Sequence, residues 1–338
     1  MEQATQLDSS GVQAALTAKR RRTAGLAALV ALACVLPFVM SDYRNFQFSL
    51  VYIYAIALLG LNILTGYSGQ ISLGHGAFFA MGSYTTAILI KDYGVGYGWT
   101  IPLAGVICLV VGFLFGLPAV RLEGLYLAMA TLALALALPQ ILKHFEDWTG
   151  GVQGIVIAKP GAPFGLPLSP DQWLYFLCLA IMLAAFFTGW NLLRGRVGRA
   201  LVALRDHHLA AEAMGINTTL YKSLAFGVSA MYTGIAGALA AVVVQFVAPD
   251  SFQLFLSITF LVGVVIGGLA SISGAIYGAF FIQFVPTYMQ DISKAAPWAV
   301  YGILMIAFMY AMPIGIAGFV RLTIMRFSRK AEEPDRGA

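Results

Sequence analysis

The sequence predicts an all-α protein that crosses a membrane about ten times, and three observations lead to this fold class. Of its 338 residues, 60% are hydrophobic and 10% are charged, against about 45–50% and about 25% in soluble domains. The apolar residues form ten runs that approach the roughly 20 residues a helix needs to cross a bilayer. All 20 basic residues lie between these runs. A soluble globular protein is therefore excluded.

The polar breaks between the runs define the predicted spans and their orientation. The spans are 24–40, 47–65, 71–90, 99–119, 124–142, 173–193, 223–244, 256–270, 272–290 and 298–320. With both termini in the cytoplasm, 15 basic residues lie inside and five outside, as the positive-inside rule requires. The first span follows a basic cluster and lacks a small-residue cleavage site, so we expect it to be retained.

This orientation divides the chain into a membrane domain with two tails and two long loops. The N-terminal tail covers 1–23, the transmembrane domain 24–320 and the C-terminal tail 321–338. The loop 143–172 is rich in Gly and Pro and is predicted to be irregular and periplasmic. The loop 194–222 is basic and is predicted to be cytoplasmic.

The charged residues exclude several functions. None of the 15 acidic residues lies deep in a span, which argues against a pump or proton symporter that works alone. No Gly-Lys dipeptide occurs, so the lysine-containing phosphate loop of ATPases is missing. No metal spacing or nucleophile–base pair is present, and we expect neither an enzyme nor a cofactor in this chain. The net charge of +5 is explained by topology, so membrane lipid rather than nucleic acid is the expected partner.

A polar, glycine-rich insert at 65–76 separates two strongly apolar runs. One interpretation is a short cytoplasmic turn in which a neighbouring carbonyl group satisfies His75. The other is a broken helix whose free backbone groups line a solute path. In that case the path-lining residues are Ser68, Gln70, Ser72 and His75.

The cytoplasmic loop contains a predicted helix from Ala200 to Met214, ended by Gly215 in the left-handed conformation. Its apolar residues recur at helical spacing, which is typical of an amphipathic helix lying on the membrane. The alternative is a helix that docks on a cytoplasmic partner. Leu204 and Met214 are then apolar anchors, and Arg205 and Glu212 are polar contacts.

Glycine pairs at four-residue spacing predict close helix packing. The pairs are Gly112/Gly116, Gly263/Gly267 and Gly274/Gly278. Such spacing lets helix backbones approach each other in lipid. The stretch from Gly267 to Gly274 interrupts an apolar run without a charge, so it is predicted to be a tight turn or a re-entrant bend.

Five segments in this order resemble one family of membrane proteins. The segments are 66–84, 124–132, 149–151, 198–217 and 267–269. They resemble the LivM-type permeases of bacterial branched-chain amino-acid ABC importers, and the likeness runs from about 45 to 320. It implies a multi-pass subunit of the bacterial inner membrane that forms half of a pathway for branched-chain amino acids or related small polar solutes.

The resemblance also implies partners and a coupling segment. The partners are a homologous LivH-type permease, two cytoplasmic ATPases that use the ATP, and a periplasmic solute-binding protein. The residues that would couple to the ATPase are Leu204, Arg205, Glu212, Ala213, Met214 and Gly215. From the residues alone, a self-sufficient secondary transporter or channel is the alternative function, and a scaffold without transport activity is a third.

Overall fold

The computed structural model describes residue 25 and residues 27–122, 124–162, 167–292 and 302–332, except 304, 309, 311 and 313. The predicted tail 1–23 and the end of the C-terminal tail lie outside the described residues. The helices are α1 Ala27–Val39, α2 Asp42–Asn62, α3 His75–Tyr93, α4 Tyr97–Ala119, α5 Leu125–His144, α6 Glu146–Thr149, α7 Pro170–Arg194, α8 Arg196–Asp206, α9 His208–Ala213, α10 Thr218–Val244, α11 Leu254–Gly267, α12 Ile272–Ile292 and α13 Gly315–Glu332.

The all-α membrane architecture is confirmed, but the number of ten spans is not. Among the described residues, six helices are long and apolar enough to cross a membrane: Asp42–Tyr67, Tyr97–Ala119, Leu125–His144, Pro170–Arg194, Thr218–Val244 and Pro249–Gly267. Helices α3 and α12 have 19 and 21 residues but are not among the six. Helix α1 is shorter, and the predicted span 298–320 lies partly outside the described residues. Helix α13 continues through the predicted boundary at 320.

The core lies around α2 and α10. Of the most apolar window of each segment, 78% is buried in Asp42–Tyr67 and 83% in Thr218–Val244, against 22% in Leu125–His144. Helix α10 packs against α2, α3 and α4. Outer helices keep large apolar side chains exposed, as at Leu114 and Met129. A membrane protein presents such a surface to lipid or to another membrane subunit, since lipid tails are as apolar as these side chains.

Close helix contacts depend on small residues, which confirms the packing predicted for the glycine pairs. A Cβ atom at Gly112 would meet the Cβ atom of Ala230 on α10, and one at Gly116 would lie 2.9 Å from the Cα atom of Ser223. A Cβ atom at Gly267 would meet the carbonyl oxygen of Gly274. The helix axes can therefore approach only because these side chains are missing.

The two long loops lie at opposite ends of the helices. In the loop 143–172, strand β1 (Ile155–Val156) pairs antiparallel with β2 (Phe246–Val247), and Lys143 forms a 2.6 Å ion pair with Asp250. Among the described residues of this loop, 157–162 and 167–169 are irregular, as predicted, whereas α6 and a 3₁₀ turn at Gly151–Gln153 are helical. Helix α8, in the loop 194–222, lies at the other end of the helices and packs against Ile63–Tyr67, the segment that follows α2. Which end faces the cytoplasm stays a prediction.

Candidate functional site

The polar insert begins where α2 changes its hydrogen-bonding pattern. Residues Ile63–Tyr67 form one turn of π-helix, and an irregular stretch then leads to His75, the first residue of α3. In a π-helical turn the backbone hydrogen bonds join residues five apart instead of four, and such turns often occur at functional sites. The insert is therefore an interruption between two long helices.

His75 is a buried bridge between three parts of the fold. Its Nε2 atom lies 2.6 Å from Ser229 Oγ on α10, and its Nδ1 atom lies 3.0 Å from Ser72 Oγ. Ser229 Oγ also donates to the carbonyl oxygen of Gly60, at 2.6 Å. A hydroxyl group has one hydrogen, and Ser229 uses it for Gly60, so Ser229 accepts from Nε2–H of His75. The partners of His75 are thus two serine hydroxyl groups rather than the expected carbonyl group.

Asn62 ties the end of α2 to the turn between α11 and α12. Its amide nitrogen donates to the carbonyl oxygen of Ser271 at 2.7 Å, and its side-chain oxygen accepts from the backbone N–H of Ala270 at 2.9 Å. Ala270 has a φ of 56°, a conformation that a residue with a Cβ atom rarely adopts. Of the two predicted alternatives for Gly267–Gly274, the structure has the tight turn, and Asn62 holds it.

Ser68 and Gln70 lie beside a small cavity at the same end of the helices. Gln70 donates to Ser68 Oγ at 2.7 Å and to the carbonyl oxygen of Lys222 at 3.3 Å. The cavity has a volume of about 170 Å³, and its wall includes Ser68, Gln70, Leu204, Arg205 and His208. The predicted path residues are thus close together, buried and bonded to the chain. Their role in a solute path stays a prediction.

The predicted coupling helix is two helices rather than one. Helix α8 ends at Asp206 and α9 begins at His208, because His207 between them is extended, with φ −153° and ψ 94°. The apolar spacing continues across this break, which is why the sequence pattern predicted a single helix. Gly215 has a φ of 84°, which confirms the left-handed residue predicted there.

The fold separates the six predicted coupling residues into two groups. Leu204 is 3% exposed and packs inside the chain, so its apolar side chain already has partners here, and its predicted contact with the ATPase stays a prediction. Arg205 turns inward, since it donates to the carbonyl oxygen of Gly66 at 2.8 Å and pairs with Asp206 at 2.9 Å. The remaining four, Glu212, Ala213, Met214 and Gly215, are exposed, and the Met214 side chain is 84% exposed.

Two residues that organise this site were missed by sequence reasoning. Asn62 and Ser229 connect α2 to distant segments, and His75 and Ser229 are 154 positions apart. A polar residue in an apolar helix is a signal that it faces protein rather than lipid. That signal was present at Asn62 and Ser229, but the sequence contains nothing that pairs them with their partners.

Comparison with known proteins identifies the family. The family described as "Branched-chain amino acid transport system / permease component" matches residues 45–312. The chain is 34% identical over 319 residues to the high-affinity branched-chain amino acid transport system permease protein LivM of Escherichia coli K12, covering 88% of this chain and 75% of LivM.

Two further relatives are more distant, and the name of one of them gives a different substrate. The chain is 25% identical to the probable branched-chain amino acid transport permease protein LivH of Methanocaldococcus jannaschii, over 80% of this chain and 90% of that protein. It is 24% identical to the autoinducer 2 import system permease protein LsrC of E. coli, over 79% and 80%. No solved structure matches the chain.

The family match at 45–312 covers nearly all of α2, the helices from α3 to α12, the polar insert and the paired loop helices, but not α1 or α13. It is a transport family, not an enzyme family. Together with the six spanning helices, it makes the chain a multi-pass protein of the inner membrane, as the sequence predicts. The chain therefore belongs to the family of branched-chain amino-acid transport permeases and is of the LivM type.

Proposed function

We propose that this chain forms one half of the translocation pathway of an ABC importer for branched-chain amino acids or related small polar solutes. A LivH-type permease supplies the other half, two cytoplasmic ATPases supply the energy, and a periplasmic binding protein delivers the solute. The observation that carries the proposal is the 34% identity to LivM over 88% of the chain. The missing nucleotide loop supports it, since the work of transport must then come from another subunit.

Reconstitution into proteoliposomes tests this function. We expect leucine uptake only when the chain is combined with the second permease, both ATPases, the loaded binding protein and ATP. Omission of the ATPases should abolish uptake. Uptake of leucine by this chain alone, without ATP, would instead support a secondary transporter or channel.

We propose that the ATPase contacts α9 together with Met214 and Gly215, which follow it. The apolar side chain of Met214 is exposed there and can serve as the anchor. Met214→Asp is expected to weaken ATPase association by about ten- to hundredfold, the usual scale for a central anchor. Gly215→Val should also weaken it, because a β-branched residue resists a φ of 84°. Association can be measured by titrating the ATPase onto the permease pair in detergent.

The control for this measurement is an exposed apolar residue at the opposite end. Val152 is 61% exposed in the loop 143–172, and Val152→Asp should leave ATPase association unchanged. Leu204→Asp is unsuitable, since a buried aspartate would disturb the fold itself. Unchanged association in both Met214→Asp and Gly215→Val would refute the proposed docking surface.

We propose that Ser68, Gln70, Ser72 and His75 lie on the solute path near its cytoplasmic end. His75→Phe is then expected to reduce leucine uptake while the complex still assembles, because a polar group is lost from the path. Uptake and assembly are measured in the same proteoliposomes. Ser229→Ala, which removes the hydroxyl partner of His75, separates this role from packing. An equal loss of uptake in both variants would show that His75 acts only through the hydrogen-bonded bridge.

A further inference from the structure

A second polar cavity lies at the other end of the helices, next to the paired strands. It has a volume of about 500 Å³ and lies between α2, α11, α12 and the turn before α11, a size typical of small-molecule sites. The polar groups of its wall come from Tyr54, Asp250, Ser251, Gln253, Thr259, Gln283 and Thr287. In the predicted orientation it faces the periplasm. It therefore lies where a delivered solute would enter.

Several polar groups of this wall have no partner in the described part of the chain. The Tyr54 hydroxyl group, the Ser251 hydroxyl group and the Gln283 side-chain amide form no hydrogen bond with any described residue. Pro286 lacks an N–H, so it cannot donate to the Ile282 carbonyl group as a regular helix residue would. Hydroxyl and amide groups that line a cavity and are not bonded within the chain can form hydrogen bonds with a polar ligand there.

The charges of this wall select the kind of ligand. Asp250 is the only charged side chain among the described wall residues, and its Oδ1 atom already forms the 2.6 Å ion pair with Lys143. The Gln283 side-chain oxygen and the Ile282 carbonyl oxygen accept hydrogen bonds, as an ammonium group requires, and the second carboxylate oxygen of Asp250 adds a further acceptor. The hydroxyl groups of Tyr54 and Ser251 donate, as a carboxylate requires. This combination suits a zwitterion better than an anion.

The neighbouring cavity supplies the apolar half of the site. It has a volume of about 160 Å³ and shares Tyr54, Ser251 and Leu256 with the polar cavity. Its remaining wall is mostly aliphatic and aromatic, from Leu50, Phe79, Ser83, Ala240, Ala241, Val244, Phe246, Val247 and Phe252. A ligand at the shared wall would meet polar groups on one side and an apolar cavity on the other.

We propose that these two cavities form a binding site for an α-amino acid with an aliphatic side chain. The ammonium and carboxylate groups bind in the polar cavity, and the side chain points across Leu256 into the apolar cavity. The polar cavity lies at the end where α11 begins, and its wall extends to Tyr54 on α2 and Gln283 on α12. This inference rests on the proposed function and assigns that function a site in this chain.

The polar half is tested with variants that remove single unpartnered groups. In the complete reconstituted complex, Tyr54→Phe and Gln283→Met are each expected to lower leucine uptake at limiting concentration by about tenfold, the scale of one hydrogen bond to a charged group. The control is Thr85→Val on α3, outside both cavities, because the Thr85 hydroxyl group is already bonded to the carbonyl oxygen of Met81 at 2.7 Å.

The apolar half is tested by filling the second cavity. Ala240→Leu adds volume to its wall and should reduce uptake of leucine at least tenfold more than uptake of alanine, whereas Tyr54→Phe should reduce both alike. Normal leucine uptake in both Tyr54→Phe and Gln283→Met would overturn the site. An equal effect of Ala240→Leu on leucine and alanine would overturn the position of the side chain. Failure of the proposed function appears separately, as absence of ATP-dependent uptake by the unmodified complex.

Discussion

Gly237→Val is expected to prevent stable packing of α3 against α10. A Cβ atom at Gly237 would meet the carbonyl oxygen of Phe79 and lie 3.1 Å from its Cα atom. Because these are backbone atoms, the two helices must separate, and the 2.8 Å hydrogen bond from Ser83 to the Gly237 carbonyl oxygen is lost with them. Overpacking of this kind costs about 3 kcal/mol. The midpoint of thermal unfolding in detergent, measured by size-exclusion chromatography, should fall by several degrees.

Gly98→Val is the matched control for this effect. Gly98 is also a helical glycine, in the first turn of α4, but no heavy atom lies within 4 Å of the position that its Cβ atom would take. We therefore expect a midpoint close to that of the unmodified protein. Equal midpoints for Gly237→Val and Gly98→Val would contradict the close crossing of α3 and α10.

Asn62→Leu is expected to release the turn between α11 and α12 from the end of α2. The two side chains are similar in size, but leucine leaves the N–H group of Ala270 and the carbonyl group of Ser271 without their partner. Each unsatisfied buried group costs about 1–3 kcal/mol. The φ of 56° at Ala270 adds a conformational cost that Asn62 no longer offsets. Thermal stability should fall, and so should uptake by the reconstituted complex.

The control for the second prediction is an asparagine whose side chain forms no bond among the described residues. Asn191 on α7 is exposed, and Asn191→Leu should leave both stability and uptake unchanged. If Asn62→Leu behaved like Asn191→Leu, the turn would hold its conformation without Asn62. The link between α2 and the α11–α12 pair would then be wrong.

The loop helices show where pattern reasoning reaches its limit. Gly215 was predicted correctly because a glycine after a periodic segment has a local cause, the left-handed conformation. The break at His207 was missed because neither glycine nor proline marks it. The burial of Leu204 was missed because an amphipathic pattern shows which residues share a face. It does not show whether that face meets the same chain or another subunit.

By itself, the sequence determined the membrane class, the family and the close packing of small residues. The reason is that composition, the order of motifs and the four-residue spacing of glycines can all be read along the chain without knowledge of the fold. The number of spans was not settled in this way. Only the tertiary structure decided which groups bond to His75 and Asn62. It also showed that two neighbouring cavities share Tyr54 in their walls. Asn62 and Ser271 are 209 positions apart. Contacts over such separations depend on how the helices pack around α2 and α10. That packing cannot be predicted from a local pattern in the sequence.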